Sequence, residues 1–465
     1  MVVGDITEGV DTVVIGAGPG GYLAAIRLAQ LGRDVKLIEK DKIGGVCLND
    51  GCIPSKALVH ASELLRSMKD TETGVEGEAS VDPEKLQEWK EKVVDRITSG
   101  VETLEDKNGV EIIEGNARLK SGKEVHINTE MASKTLKFDK CIIATGSSPV
   151  QIPGLEPDGE KVIGSKEALK LKEIPGKFVI VGGGYIGMEL GMVYSRLGSE
   201  VTVVEAGDSI LSGMDSEAVR TVQKKAEEMG MEIVTGEKAE EAVEKDGRTV
   251  LKTDKNEYEA DKIMVAVGRK PNTEGIGLGK AGVELDGKGF IETDETMKTS
   301  SENIYAIGDV AGQPLLAHKA YYEGKVAAEV IAGEKSASDY QAMPYAVYTE
   351  PEIAGTGLSE EEAEEQGFDV RTGRFPLGGN GRAVTMESDE GFVKVIGDRE
   401  SGLLLGAVIC GENASEMVSE LSLGIEMGAL VEDLAMTIHP HPTVSEAVME
   451  ACEDFLDRSA HRYKQ

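Results

Sequence analysis

Apolar residues arrive in this chain in two patterns: short solid runs closed by glycines, and spaced positions along longer polar stretches. Thr12-Val13-Val14-Ile15 is a solid run of strand length, as expected of a strand covered on both faces. Gly16-Ala17-Gly18-Pro19-Gly20-Gly21 interrupts it. Apolar positions at helical spacing follow through Leu31, and Val35-Lys36-Leu37-Ile38-Glu39 predicts a second strand. The order returns later: Lys177-Phe178-Val179-Ile180-Val181, a glycine turn at Gly182 to Gly187, a helix to Leu197, then Val201-Thr202-Val203-Val204 ending at Glu205. Between the two units, Ala57, Leu58, Ala61, Leu64, Leu65 and Met68 keep helical spacing. Ser216 to Gly230 alternates apolar and charged residues at that same spacing, which predicts a helix with one solvated face. At residues 337–350 the composition shifts and a further region begins.

Each glycine turn has the G-x-G-x-x-G form, sits between a strand and a helix, and is answered by an acidic residue at the next strand end. Glu39 follows Gly16 by 23 positions, and Glu205 follows Gly182 by the same 23. In such a unit Gly16 permits the tight turn, Gly18 lets a pyrophosphate approach the backbone, and Gly21 lets helix and strand pack. The helix N-terminus stabilises phosphate and the carboxylate accepts ribose hydroxyl bonds. Gly182, Gly184, Gly187 and Glu205 repeat the set. A purely structural βα turn is the alternative for either unit; two complete sets imply two bound dinucleotides. Glu205 precedes Ala206-Gly207-Asp208, with no arginine to hold a 2′-phosphate, which favours NAD over NADP. The expected class is α/β, with two Rossmann-like dinucleotide-binding domains.

Just behind the first unit stands Gly44-Gly45-Val46-Cys47-Leu48-Asn49-Asp50-Gly51-Cys52-Ile53-Pro54-Ser55-Lys56. On an ideal helix, Cα atoms five apart lie roughly 8.7 Å from one another, beyond the ~7 Å that a disulfide can span. A bridge here needs a distorted turn, and Gly51 makes one accessible. A short-loop disulfide is easily opened, and helix N-terminal dipoles and Lys56 would favour a thiolate. Two buried unpaired thiols remain the rival reading. Half of a zinc site is a poorer one, since only His60 lies nearby as a further ligand, and no metal is expected.

The net charge of −34, from 84 acidic and 50 basic residues, makes nucleic acid and anionic membranes poor partners. The acidic residues are spread along the chain, which suggests a hydrated anionic coat suited to a high-salt cytoplasm, such as a halophile's; an ordinary acidic cytosolic enzyme is the alternative. Five cysteines at this length do not make a secreted scaffold, and Cys141, Cys410 and Cys452 read as isolated and inert. Met1 to Val10 has neither a basic nor an apolar leader segment, and no apolar run is long enough to span a membrane; the expectation is a cytoplasmic protein.

The cysteine run, with both cysteines in place, resembles the redox-active disulfide motif of the pyridine nucleotide-disulfide oxidoreductases. The likeness extends from Val13 to about Glu450. It implies FAD in the first unit, NAD in the second, a Cys47-Cys52 disulfide, and a C-terminal α+β dimerisation domain. The implied domains are 1–150 (FAD-binding, first part), 151–270 (NAD-binding), 271–338 (FAD-binding, central part) and 339–465 (interface). Glu114-Gly115-Asn116-Ala117 is similar to a segment whose backbone approaches the adenine, Ala117 included. Ala144-Thr145-Gly146-Ser147-Ser148-Pro149 resembles the turn that closes the first part of the flavin domain. Ile304 to Asp309 resembles the second flavin motif, with Asp309 on the ribityl chain, and Leu316-Ala317-His318-Lys319 follows near the isoalloxazine. Gly268, in Val265 to Asn272, resembles a backbone contact to the nicotinamide half; Lys56 and Glu189 are expected as a pair beside the flavin.

Ile438-His439-Pro440-His441-Pro442-Thr443-Val444-Ser445-Glu446 contains two of the six histidines. A structural histidine is the default reading of those residues, although Glu446 could orient one ring. The resemblance instead implies an acid/base at His441 held by Glu446, with His439 a helper or bystander, working across a homodimer. The implied activity is oxidation of protein-bound dihydrolipoamide with NAD, the partner being a lipoyl-bearing acyltransferase or glycine-cleavage carrier. A glutathione-reductase-like enzyme and a non-catalytic nucleotide-bound subunit are the alternatives. The tail from Arg458 to Gln465 lacks the cysteine pair of some relatives. Three positions depart from the family's pattern. Val46 replaces a threonine, Asp50 replaces a valine and would raise nearby thiol pKa values, and Tyr185 resembles a gating tyrosine.

Overall fold

The structure, a computed structural model, describes residues 7–69, 73–129 and 132–461. Part of Met1 to Val10 and part of the tail after Arg458 lie outside the described residues. The chain forms two compact units: residues 1–57, 85–150 and 268–339 make the first, and residues 58–84, 151–267 and 340–465 the second.

In the first unit, strand Thr7–Ile15 runs parallel between Val35–Glu39 and Ser133–Ile143, and Glu111–Glu114 extends the sheet beyond Val35–Glu39. On the other side of the sheet, Glu124–Asn128 and Asn116–Ser121 add antiparallel strands, and Ile304–Ala306 pairs parallel with Ser133–Ile143. Val13, Val14, Leu37, Ile142 and Ile143 are almost wholly buried, as the solid apolar runs require of central parallel strands. Helix Pro19–Gln30 crosses the sheet so closely that a Cβ on Gly21 would lie 1.8 Å from the Gly16 carbonyl oxygen. Gly16 itself has φ +101°, and a Cβ there would sit 2.4 Å from the Ala144 carbonyl oxygen. Only glycine satisfies both demands.

Among the described residues the second unit holds three sheets. Strands Val162–Gly164, Lys262–Val265, Lys177–Val181, Glu200–Val204 and Glu232–Val234 are neighbours in a parallel sheet, with helix Tyr185–Leu197 following the second glycine turn. The close approach recurs there, since a Cβ on Gly187 would lie 2.0 Å from the Gly182 carbonyl oxygen. Ala239–Lys245, Arg248–Thr253 and Glu257–Ala260 form an antiparallel meander. The third sheet is antiparallel, in the order Tyr345–Val347, Ile353–Gly357, Leu404–Cys410, Phe392–Asp398, Val370–Pro376. Helices Ala414–Glu426 and Glu446–Phe455 contribute Met417, Leu421, Ala447, Val448 and Phe455 to the core shared with this sheet, an α+β arrangement.

Helix Ser216–Glu228 forms where the spacing predicts it, capped by the Asp215 carboxylate, which accepts from Glu217 N and Ala218 N at 3.0 Å each. Cys141, Cys410 and Cys452 are buried free thiols, and burial is the main cause holding each above its usual pKa.

One residue of the first unit defies its surroundings. Glu105, on helix Pro83–Lys107, is fully buried, and neither carboxyl oxygen has a hydrogen-bond partner among the described residues. Burial, and then the charge of Glu102, push its pKa up to about 7. The folded state therefore holds this proton where the unfolded chain has released it, so the contribution is present below about pH 4.5 and is lost as pH rises toward about 7. Glu105→Gln should gain on the parent by about 2 kcal/mol between roughly pH 5 and pH 8 in denaturant unfolding. Parallel stability curves would contradict the assignment.

Candidate active site

The first glycine turn and the cysteine run are built onto one another. Gly44 N–H donates to the Ala17 carbonyl at 2.8 Å, and a Cβ on Gly45 would stand 2.7 Å from Gly18 Cα. A short helix, Gly45–Asp50, starts from that contact and carries Cys47. At Gly51 (φ −148°, ψ −109°) it stops, and helix Cys52–Lys69 begins. Apolar spacing found only the second helix, because one and a half turns are too short to show a period. The cysteines thus lie on different helices, and the ideal-helix separation does not apply. Asn49 braces the bend through its amide, donating to the Ile43 and Gly45 carbonyls at 2.8 and 2.9 Å. Ser55 Oγ donates to the Cys52 carbonyl at 3.0 Å.

Cys47 is partly buried and Cys52 exposed, and a hydrogen bond joins their side chains. That bond is the largest cause pushing the Cys47 thiol far above its usual range; burial adds to it, and the Lys56 charge opposes it. Asp50, expected to raise the thiols, is not among the leading causes. Two residues that the sequence did not single out complete the setting. Tyr22 and Tyr321 join hydroxyls at 2.8 Å, and the charge of Cys47 acts on both. They are 299 positions apart, and no local pattern connects them.

In the same unit, Glu39 turns its carboxylate onto the glycine turn. Oε2 accepts from Ala17 N at 2.6 Å, and Oε1 accepts from Lys40 N and Asp41 N at 2.8 and 2.9 Å. Ala117 lies on strand Asn116–Ser121, opposite Ile127. Thr145 Oγ donates to the Asn272 carbonyl at 2.9 Å, and Gly146 has φ +68°. Asp309 occupies a tight turn, Gly308–Ala311, and accepts from Ser147 Oγ, to which Arg269 Nε donates at 2.7 Å. Buried Glu323 holds that turn by accepting from Gly308 N at 2.6 Å, and buried Lys319 pairs with Glu323 at 2.9 Å. Ala317 opens the next helix, and the Gly268 carbonyl accepts from Val150 N at 3.0 Å. Ser147, Arg269 and Glu323 act through these neighbours; Ser147 and Arg269 lie inside the motifs at Ala144–Pro149 and Val265–Asn272 without a role of their own there, and no sequence signal marks Glu323.

The second unit repeats the carboxylate device. Glu205 accepts from Gly183 N and Gly207 N, both at 2.7 Å, around the turn formed by Gly182, Gly184 and Gly187. Glu189 is buried in helix Tyr185–Leu197 and accepts from Tyr348 N at 2.9 Å. Also in this unit, His441 Nδ1 lies 2.9 Å from Glu446 Oε1, with the imidazole largely exposed. Thr443 N donates to Glu446 Oε2 at 2.8 Å. Burial tends to raise the Glu446 pKa, but the Thr443 N–H and His441 outweigh it and leave the carboxyl below its ordinary value. A glycine turn seated against a dithiol, a second such turn, and a histidine–carboxylate pair define a class of enzyme: oxidoreductases that pass electrons between a dithiol and nucleotide cofactors.

The comparisons give the particular lineage. Residues 10–324 match the model of the pyridine nucleotide-disulphide oxidoreductases, and residues 343–452 match that family's dimerisation domain. The chain belongs to this family. A dihydrolipoyl dehydrogenase of Halobacterium salinarum is 49% identical over 470 residues, covering 99% of each chain. The dihydrolipoyl dehydrogenase of Bacillus subtilis is 46% identical over 471 residues, covering 100% of each. Among solved structures, LpdA of Mycobacterium tuberculosis superposes with a TM-score of 0.90 at 26% identity, over 96% of this chain and 99% of that one. RclA of Escherichia coli, an HOCl-induced flavoprotein disulfide reductase, superposes at 0.86 and 26% identity, over 96% of this chain and 99% of that one.

Gly21→Ala would drive a Cβ to 1.8 Å from the Gly16 carbonyl oxygen, and the turn must open to accept it. The purified variant should carry no tightly held dinucleotide, as read from its absorbance and from the supernatant after heat release. A fully loaded variant would refute the role given to that turn.

Proposed function

We propose that this chain oxidises dihydrolipoamide carried on a partner protein and reduces NAD, with FAD as the intermediate carrier. The observation that supports this most directly is the hydrogen-bonded thiol pair seated against the first glycine turn. The residues fit a flavin dinucleotide there: side chains are excluded from the turn at Gly16 and Gly21, and Asp309 projects from its own braced turn. When bound, FAD supplies the two-electron relay from dithiol to NAD. Gly16, Gly18, Gly21, Glu39, Ala117, Thr145, Gly146, Asp309 and Ala317 would hold it, with Lys56 countering negative charge near the thiols. Gly182, Gly184, Gly187 and Glu205 would hold NAD, the Gly268 backbone would meet its nicotinamide half, and Glu189 would stand beside the flavin.

In the oxidised enzyme Cys47 and Cys52 form a disulfide. A dihydrolipoamide thiol gives its proton to His441 and attacks Cys47, releasing Cys52 as a thiolate. The second substrate thiol gives its proton to the released enzyme thiolate, attacks the same substrate sulfur, expels Cys47 as a thiolate, and leaves as cyclic lipoamide; the reduced cysteine pair carries the two electrons, with the first proton on His441. Glu446 makes His441 competent for this. A carboxylate at Nδ1 requires the hydrogen on Nδ1, which leaves the Nε2 lone pair free to take the substrate proton.

The lipoyl arm belongs to an acyltransferase or to a glycine-cleavage carrier, and the working unit is a homodimer built through residues 343–452. Among the described residues no helix is long and apolar enough to cross a membrane, and the anionic composition suits a high-salt cytoplasm.

His441→Gln should lower dihydrolipoamide turnover by about 10²- to 10⁴-fold while NADH still bleaches the flavin. Cys52→Ser should abolish turnover altogether. A colourless protein, or turnover that survives either change, would overturn the proposal. Transfer from molar KCl to dilute buffer should cost both activity and far-ultraviolet circular dichroism, because an unscreened charge of −34 repels itself; indifference to salt would argue against the high-salt setting.

A further inference from the structure

His439 stands two residues before His441, yet its surroundings are opposite in kind. Its side chain is 4% exposed, against 79% for His441. Nδ1 lies 2.9 Å from the Thr437 carbonyl oxygen, and Nε2 lies 3.1 and 3.3 Å from the two Glu420 carboxylate oxygens. A carbonyl oxygen and a carboxylate can only accept. Both ring nitrogens must therefore carry hydrogens, and a ring with two N–H groups is an imidazolium. Glu420, whose side chain is 36% exposed, has water as well as the ring to support its charge.

We propose that His439 is a positioning residue for the acid/base at His441. It is an imidazolium bonded at both nitrogens that ties the Pro440-His441-Pro442 loop to helix Ala414–Glu426 and fixes a positive charge beside it. The inference rests on the role given to His441 above. With both nitrogens committed, His439 has no lone pair with which to take a substrate proton. His441, with one nitrogen on Glu446, keeps one.

The two ends of the loop are held by different means. After His441, Thr443 N is bound to Glu446 at 2.8 Å, Thr443 Oγ donates to the Pro440 carbonyl at 2.8 Å, and Asn380 Nδ2 donates to the Thr443 carbonyl at 3.0 Å. Before it, His439 provides the tie to Glu420. The groups whose charges act on His439 are Glu420, from helix Ala414–Glu426, and Glu446, from helix Glu446–Phe455. Both favour the protonated ring. The Glu420 bond is the largest cause raising its pKa, with burial opposing. The charge is thus held to higher pH than on an ordinary histidine, and it opposes the build-up of a second positive charge on the same loop.

The test pairs kinetics with a direct view of the ring. In ¹⁵N-histidine-labelled holoenzyme, which has six histidines, the His439 ring should show two protonated nitrogens at pH 7, alongside any signal from His461, whose pKa the Glu450 bond also raises. That signal should be absent from His439→Gln. The same variant keeps an amide donor for Glu420 but loses the charge. The acid limb of its kcat/KM profile should move to higher pH by about half a unit to one unit, with flavin content unchanged. A neutral His439 ring at pH 7, or an unmoved acid limb, overturns the proposal. Should His439→Gln not accumulate, Glu420→Gln must lower the pH at which the doubly protonated ring loses its proton; no change there also overturns it. If His441→Gln keeps full turnover, the reading of His441 fails by itself, whereas the ring signal reports on His439 in either case.

Discussion

The arrangement of this protein depends on a break in a helix. Were Gly45 to Lys69 one continuous helix, Cys47 and Cys52 would stand too far apart for their sulfurs to meet. The interruption at Gly51 divides it in two, and the thiols come within hydrogen-bonding distance. The break is held rather than merely allowed. Asn49 fastens the first helix to the backbone before it, Ser55 ties down the start of the second, and Gly45 lies against Gly18. Through that last contact the sulfur pair and the first dinucleotide turn become one assembly.

A common device supports both dinucleotide turns. In each, the helix approaches so near that the third motif glycine abuts the carbonyl of the first, and in each a strand-end carboxylate accepts the N–H of the residue after that first glycine. Glu39 and Glu205 therefore serve the turn's own backbone as well as any ribose. The acidic end of the motif stiffens the loop that must meet the phosphates, which explains how a turn of mostly glycine keeps its shape.

In the proposed mechanism, proton handling is divided between neighbouring histidines by what each nitrogen faces. His439 meets acceptors at both nitrogens; His441 meets one carboxylate through Nδ1. Burial separates them further. One ring is enclosed against helix Ala414–Glu426, while the other stands in solvent where a substrate can reach it.

The sequence by itself determined the two strand–glycine–helix units, the cysteine pair, the choice of Glu39 and Glu205, and the histidine–glutamate pair. These are local: a period, a spacing or a motif within a few tens of residues carries each. Only the tertiary structure decided that Cys47 rides a separate helix, that Tyr22 meets Tyr321, that Arg269 and Ser147 stand behind Asp309, and that His439 is closed at both nitrogens by Thr437 and Glu420. It also decided that Glu105, on helix Pro83–Lys107, is sealed from water without a hydrogen-bond partner among the described residues. The physical reason is the same in each case. Hydrogen bonds and burial are set by distance in space, and a chain folded into parallel sheets brings together residues whose separation in sequence carries no mark of the encounter.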